Sequence, residues 1–352
     1  MTHIALLGFG TVGSGVAEVL TENAGRIADK TGLTFHIKYI LDLREFPGHP
    51  LADRVVHDFD TILRDPEVSV VVEMMGGVHP AYDFSLAAIR AGKNVVTSNK
   101  AVVAAYGPEL LSEARQQGVR YLFEASVGGG IPIIRPLTEQ AAENDITEII
   151  GILNGTTNYI LTAMKNTGVT FEEALATAQK LGYAEADPTA DVDGFDTCRK
   201  ICILAAVAFG TLVPYETVRT VGIRSVTADD VAKAESNGYA IKLVARALRT
   251  EKGYYLAVEP MAVKRSHPLY SIEDVYNGIL VRGKVSGDLL FYGMGAGKLP
   301  TAGAVVTDIL DIAARGDSQP LQTLWTRDAS VYVSTLTDTE SAATLTELGY
   351  PI

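Results

Sequence analysis

Apolar residues in the first third of the chain come in short runs separated by amphipathic stretches. Ile4 to Leu7 is an apolar run of strand length, a glycine turn follows it, and a helical pattern begins near Val12. His36 to Leu41 predicts a second strand, Val68 to Val72 a third, Asn94 to Thr97 a fourth and Tyr121 to Glu124 a fifth. Helical stretches lie between them, one closing at Ala87 to Ala91 with Gly92 as its stop, another at Leu110 to Gln117. Strands and helices in this rhythm predict an α/β fold with a doubly wound parallel sheet.

The rhythm changes after Gly128-Gly129-Gly130 and Pro132, where longer helices and fewer buried strands are expected. Phe171, Ala174, Leu175, Ala178 and Leu181 share one helical face, and Gly182 is a C-terminal stop. Val258 to Val263, Asn277 to Gly283 and Gly287 to Tyr292 predict sheet segments, and Thr301 to Arg315 a late helix. We place the main boundary near residue 130, with the late helix packing back on the first domain. No internal repeat or low-complexity segment interrupts the chain.

Composition narrows the partners. A chain of 352 residues exceeds what one core usually organises, so two domains are expected. The formal net charge is −12 and no dense basic cluster offsets it. That field argues against nucleic acid and against a basic membrane-docking face, so ligands must be captured by local groups. Cys198 and Cys202 sit in an apolar helical stretch and read as core residues of a reducing, cytoplasmic-type protein. No signal peptide is expected, because Met1-Thr2-His3 leads straight into a strand. The longest uncharged stretch, Ile201 to Pro214, is too short to span a bilayer.

Candidate chemistry begins with Gly8-Phe9-Gly10-Thr11-Val12-Gly13, a G-x-G-x-x-G between a strand and a helix. Its glycines allow a tight turn, backbone approach to a pyrophosphate and close helix–strand packing, which points to a dinucleotide at a Rossmann-type site. The second strand ends in Asp42, with Arg44 close behind. An acid there suits the ribose hydroxyls of NAD and an arginine the 2′-phosphate of NADP, so both cofactors stay open. Thr97-Ser98-Asn99-Lys100-Ala101 follows a strand at the edge where such folds bind ligands, and Lys100 can meet the nicotinamide end, the substrate or solvent. Glu124 precedes a glycine run that suits either a hinge, the reading the residues favour, or carbonyls converging on a hard cation. The stretch from Gly182 to Lys200 holds Glu185, Asp187, Asp191, Asp193 and Asp196 before an apolar helix. Acids at a helix start fit its dipole, yet Lys200 in that apolar setting needs a partner, and Asp196 lies one turn away on the same face.

Taken together, these segments resemble the homoserine dehydrogenase family. Glu124–Ile134, Gly151–Leu161, Leu181–Asp191 and Gly293–Gly303 are similar to its signatures, occur in family order, and extend the likeness over roughly residues 4 to 315. The resemblance implies a Rossmann-type NAD(P)-binding domain (1–130), an α+β substrate-binding and dimerisation domain (131–300), and a helix returning to the first domain (301–316). It implies reduction of aspartate 4-semialdehyde to homoserine. Asp196, Lys200 and Lys100 would be catalytic, and Glu185 and Asp191 would bind substrate. Gly8 to Gly13, Asp42, Arg44, Lys100, Gly182 and Gly297 would lie along the dinucleotide. The Glu124 carboxylate with the carbonyls of Val127, Gly129 and Ile131 would hold a monovalent cation, commonly sodium, in place of a mere hinge. A homodimer is implied through the sheet of the second domain. The chain departs from many relatives in its tail (317–352), too short for an ACT module. Another semialdehyde or a sugar is the alternative substrate.

Overall fold

The computed structural model describes residues 1–315 and 324–352. Gly316 to Thr323, where the sequence puts the end of the late helix and the start of the tail, lie outside the described residues. Two compact units emerge: Met1–Arg135 with Ala296–Trp325, and Pro136–Gly295 with Thr326–Ile352. The division falls after Arg135, beyond the glycine run, and the C-terminal residues are shared between the units rather than forming a separate tail.

In the first unit, β1 (Thr2–Leu7), β2 (Phe35–Leu41), β3 (Val55–Val56), β4 (Val68–Glu73), β5 (Asn94–Thr97) and β6 (Tyr121–Leu122) form one parallel sheet in the order β3-β2-β1-β4-β5-β6. Helices α1 (Thr11–Glu22), α2 (Ala24–Thr31), α3 (Phe59–Leu63), α4 (Ala81–Arg90) and α5 (Lys100–Gln117) connect the strands. Burial on both faces explains the unbroken apolar runs: in β4, Val70, Val71 and Val72 are all fully buried. Strand order reverses between β1 and β4, which opens a crevice at their C-terminal ends. The expected fifth strand is shorter than the sequence suggests, because Glu124 leaves it for a 3-10 turn, Glu124–Ser126.

Helix α6 (Ile134–Glu143) spans the division. The second unit continues through β7 (Ile146–Ile152), α7 (Gly155–Thr167), α8 (Phe171–Lys180), α9 (Thr189–Val192), α10 (Phe195–Phe209), β8 (Thr211–Leu212), β9 (Arg219–Thr220) and α11 (Ala228–Ser236). Long antiparallel partners follow: β10 (Tyr239–Thr250), β11 (Gly253–Lys264), β12 (Tyr276–Gly283) and β13 (Gly287–Met294). The sheet runs β13-β12-β7-β10-β11, and α10 packs on β7, β10 and β11. Among the strands of this mixed sheet that the sequence reading missed are two long ones, β7 and β10.

The late helix α12 (Lys298–Arg315) belongs to the first unit. Its face of Ala302, Val305, Val306, Ile309 and Ile312 joins the core that contains Ile4, Val16 and Leu20. Gly15 of α1 permits that approach, since a Cβ there would lie 3.0 Å from Lys298 and 3.1 Å from Ala302. The last residues return to the second unit. There β14 (Thr326–Arg327) pairs with β8, and β15 (Tyr332–Val333) and β16 (Gly349–Pro351) pair with β11, with α13 (Asp338–Glu347) between them. The tail thus extends the sheet, a role its sequence did not announce. Among the described residues no helix is long and apolar enough to cross a membrane.

Candidate active site

The first unit supplies a dinucleotide cradle. Gly8 turns the chain at φ +90°, and a Cβ on Gly13 would lie 2.2 Å from Gly8 O, so only glycine lets α1 start so close beneath β1. A Cβ at Gly10 would meet nothing within 4 Å, which leaves open the space above the α1 N-terminus where a pyrophosphate sits. Thr11 and Val12 are the first residues of that helix, Thr11 exposed and Val12 half-buried. Phe9 instead turns inward, its ring edge-on to Phe46 and His49. Its N–H donates to Asp42 Oδ2 at 2.8 Å, tying the glycine turn to the end of β2.

Arg44 grips Asp42 through Nε to Oδ1 and Nη2 to Oδ2, both at 2.9 Å. That pairing and the Phe9 and Arg44 amides hold the carboxyl well below the usual carboxylate range, although desolvation opposes them. Arg44 is itself mostly exposed. Gly297, at φ +118°, precedes α12 and accepts from Thr301 N–H. Gly182, at φ +77°, follows α8 in the second unit.

Lys100 is the first residue of α5 and half-buried. A network that the sequence reading overlooked fixes its backbone. Glu73, fully buried at the end of β4, accepts from Met75 N–H at 2.7 Å and from the Thr97 hydroxyl at 2.6 Å. Thr97 Oγ1 in turn accepts from Asn99 N–H, and the Asn99 side chain caps α5 by accepting from Ala101 and Val102. The available signal was an acid closing a valine-rich strand at the ligand-binding sheet edge.

Burial raises the Glu73 carboxyl to about 7 and the Asp308 carboxyl, which also feels Glu124, to about 7. For each acid the folded pKa exceeds the unfolded one, so the native state holds extra protons from the ordinary carboxylate range up to about 7. Their contribution to stability is complete at low pH and is lost as pH rises through that window. Relative to wild type, Glu73→Gln should therefore gain a few degrees of Tm between pH 5 and pH 8, read by thermal unfolding. A pH-independent difference would show that Glu73 stays ionised throughout.

The glycine run folds around Glu124 rather than lying between the units. Glu124 Oε1 accepts from Ile133 and Ile134 N–H at 2.7 and 2.8 Å, and Oε2 accepts from Arg135 N–H at 2.9 Å. Asp308 of α12 accepts from Glu124 N–H and from Arg135, so the late helix helps to shape this loop. Of the carbonyls from Val127 to Ile131, only Gly128 accepts a backbone N–H among the described residues. The carbonyls of Val127, Gly129 and Ile131 and the one acceptor site left on Glu124 Oε2 make an all-oxygen set that fits a hard monovalent cation. Among the described residues no group of three His, Cys, Asp or Glu side chains forms a metal cluster.

In the second unit the carboxylates of the Gly182–Lys200 stretch separate. Lys200 Nζ, on a side chain only 10% exposed, donates to Leu153 O at 2.8 Å and pairs with Asp196 Oδ2 at 2.7 Å. Asn154, just after β7, joins the pair to Asp191: its Nδ2 donates to Asp191 Oδ1 at 2.7 Å and to Asp196 Oδ2 at 2.9 Å. Thr156 also donates to Asp191. Burial and the Asp196 charge raise the Asp191 carboxyl despite these donors. The Asn154 side-chain amide is thus committed to two protein carboxylates. Asp193 is outside the cluster, bound to Arg224 at 2.5 Å, and Glu185 and Asp187 are exposed. Both cysteines are buried and free.

A glycine-turned crevice at the C-terminal edge of a six-stranded parallel sheet defines a dinucleotide-binding protein of the Rossmann class. Comparisons with known proteins agree. Residues 8–124 match the NAD-binding domain of homoserine dehydrogenase and residues 132–310 match the homoserine dehydrogenase family. A homoserine dehydrogenase of Synechocystis sp. is 48% identical over 88% of this chain and 72% of its own length. The crystal structure of one from Thiobacillus denitrificans superposes with a TM-score of 0.87 at 39% identity, covering 95% of this chain and 79% of that one. A hyperthermophilic archaeal homoserine dehydrogenase in complex with NADPH matches with a TM-score of 0.78 at 28% identity, covering 91% and 99%. The chain belongs to the homoserine dehydrogenase family, and it is an NAD(P)-dependent oxidoreductase.

Proposed function

We propose that Lys200 is the proton donor in the interconversion of L-aspartate 4-semialdehyde and L-homoserine, with Asp196 holding it in place and Lys100 as a second positive group. The bound nicotinamide supplies the hydride that reaches C4 of the aldehyde. Negative charge then develops on the aldehyde oxygen, and a fixed ammonium stabilises that charge more than it stabilises the neutral carbonyl. One Lys200 proton passes to the oxygen to give the alcohol, and the neutral amine recovers a proton from solvent. The carrying observation is the buried Nζ, fixed between Leu153 O and Asp196 with one donor position left. Asp191, on the same Asn154 amide as Asp196, takes the substrate ammonium together with Glu185. Homoserine-dependent reduction of the dinucleotide, followed by absorbance with each cofactor, tests the activity and ranks NAD against NADP.

Gly8 to Gly13, Asp42, Arg44, Lys100, Gly182 and Gly297 form the proposed dinucleotide site, with exposed Arg44 available to a 2′-phosphate. The proposed cation, sodium by chemistry, is held by Glu124 and the carbonyls of Val127, Gly129 and Ile131. Glu124→Gln should weaken any dependence of activity and Tm on sodium, measured against a bulky organic cation at equal ionic strength. An unaltered sodium response in the variant would remove Glu124 from the site. We further propose a cytoplasmic homodimer. Tyr276, Leu290, Tyr292 and Met294 are exposed on paired strands β12 and β13, with Tyr276 and Tyr292 stacked at 5.2 Å, an apolar surface suited to a second copy.

A further inference from the structure

The second unit contains a cavity of about 430 Å³ between β10–β11 and the C-terminal segment that carries α13. It is distinct from the Lys200 cluster. Side chains alternate along a strand, and a Cβ on Gly194, at the start of α10, would touch Val258 Cγ1 at 3.2 Å. Ala257 and Glu259 therefore point to the opposite face of β11 from Val258, and both line the cavity. The helix bearing Lys200 and the cavity lie on opposite faces of the same two strands.

Two nearly buried charges form the cavity floor. Arg246 pairs with Ala257 across the ladder and Val244 pairs with Glu259, so Arg246 and Glu259 are diagonal neighbours, with Cβ atoms roughly 7 Å apart. Arg246 uses Nε on Glu148 and Nη1 on the Thr344 hydroxyl, which leaves three of its five N–H donors. Glu148 also accepts from Arg282 on its other oxygen. The Glu259 side chain is only 10% exposed, and its ion partner among the described residues is Arg219 at 3.2 Å, a side chain 58% exposed. A buried carboxylate held by one solvent-washed arginine retains most of its acceptor sites. Val244, Met261 and Leu345 give the wall an apolar part, beside the hydroxyls of Ser334, Thr335, Ser341 and Thr344.

We propose that this cavity binds a small zwitterion with an apolar side group, the chemistry of an α-amino acid. Its carboxylate meets Arg246 and the exposed Arg219, its ammonium meets Glu259, and its side group lies against Val244, Met261 and Leu345. An anion alone would face Glu259, and a cation alone would face two guanidinium groups. Only adjacent opposite charges satisfy both floor groups in a space of this size.

Titration calorimetry of the full chain with L-leucine, L-methionine and L-valine tests the proposal, alongside the N-acetyl and carboxamide derivatives of each. At least one free amino acid should bind saturably. Each derivative lacks one charge and should bind at least tenfold more weakly. Glu259→Gln should weaken binding at least tenfold, and Leu345→Trp, which fills the cavity from a half-exposed position, should abolish it. Both variants should keep the wild-type fold by circular dichroism and normal turnover with homoserine. The proposal is overturned if no probe binds up to roughly 10 mM, a weak limit for a specific site. It is equally overturned if binding survives in both variants, which would place the probe in the substrate site, or if the derivatives bind as well as the free amino acids.

Discussion

Lys200→Ala is expected to lower kcat by roughly 10²–10⁴-fold while leaving dinucleotide affinity close to wild type. The protein groups met by Nζ, Leu153 O and Asp196, belong to the second unit, so removing it leaves the glycine turn and Asp42 untouched. Truncation also strands Asp196, 5% exposed, without its cation. Losing one member of a buried pair costs about 3–5 kcal/mol, which would appear as a lower Tm. Turnover should therefore be measured well below the melting transition, with Lys200→Met as a second variant that keeps the packing of the stem. Near-normal kcat in both would take Lys200 out of the chemistry.

Asn154→Ala should be nearly as damaging, through stability as well as rate. Its side-chain amide donates to two carboxylates, and its Oδ1 accepts from Thr157 N–H as the cap of α7. Hydrogen bonds to charged groups contribute about 1.5–3 kcal/mol each and a cap about 1 kcal/mol, with incomplete additivity because all three share one side chain. A loss of about 3–5 kcal/mol by denaturant unfolding is expected, with kcat at least tenfold down as Asp196 loses its orientation. Asn154→Asp, adding a third anion, should be worse than alanine. A destabilisation below about 1 kcal/mol would mean that the two aspartates do not depend on this amide.

The parts legible in the sequence were those written locally. The glycine turn, its strand and its helix are consecutive, and Asp196 and Lys200 are one helical turn apart, so spacing alone brought them together. The parts that were missed depend on distant residues. Strand β7 is buried at nearly every position, so it carries no alternation to reveal it. Strand β10 contains Lys242, Arg246 and several alanines, and becomes a strand because β7 and β11 pair with it on either side. Asn154 reads as an ordinary helix cap until Asp191 and Asp196 fold against it. The glycine run favoured a hinge because no local pattern shows that Glu124 would gather the amides of Ile133 to Arg135.

The sequence by itself determined the dinucleotide turn, the lysine–aspartate pair and the alternation that builds a parallel sheet, because each is set by periodicity or by contact within a turn or two. Tertiary structure alone decided which carboxylates surround Lys200, how Glu73 braces the start of α5, and that the last residues complete the second sheet. Those outcomes rest on burial and hydrogen bonding between segments remote along the chain, where desolvation forces each polar group to find a partner that no nearby residue supplies.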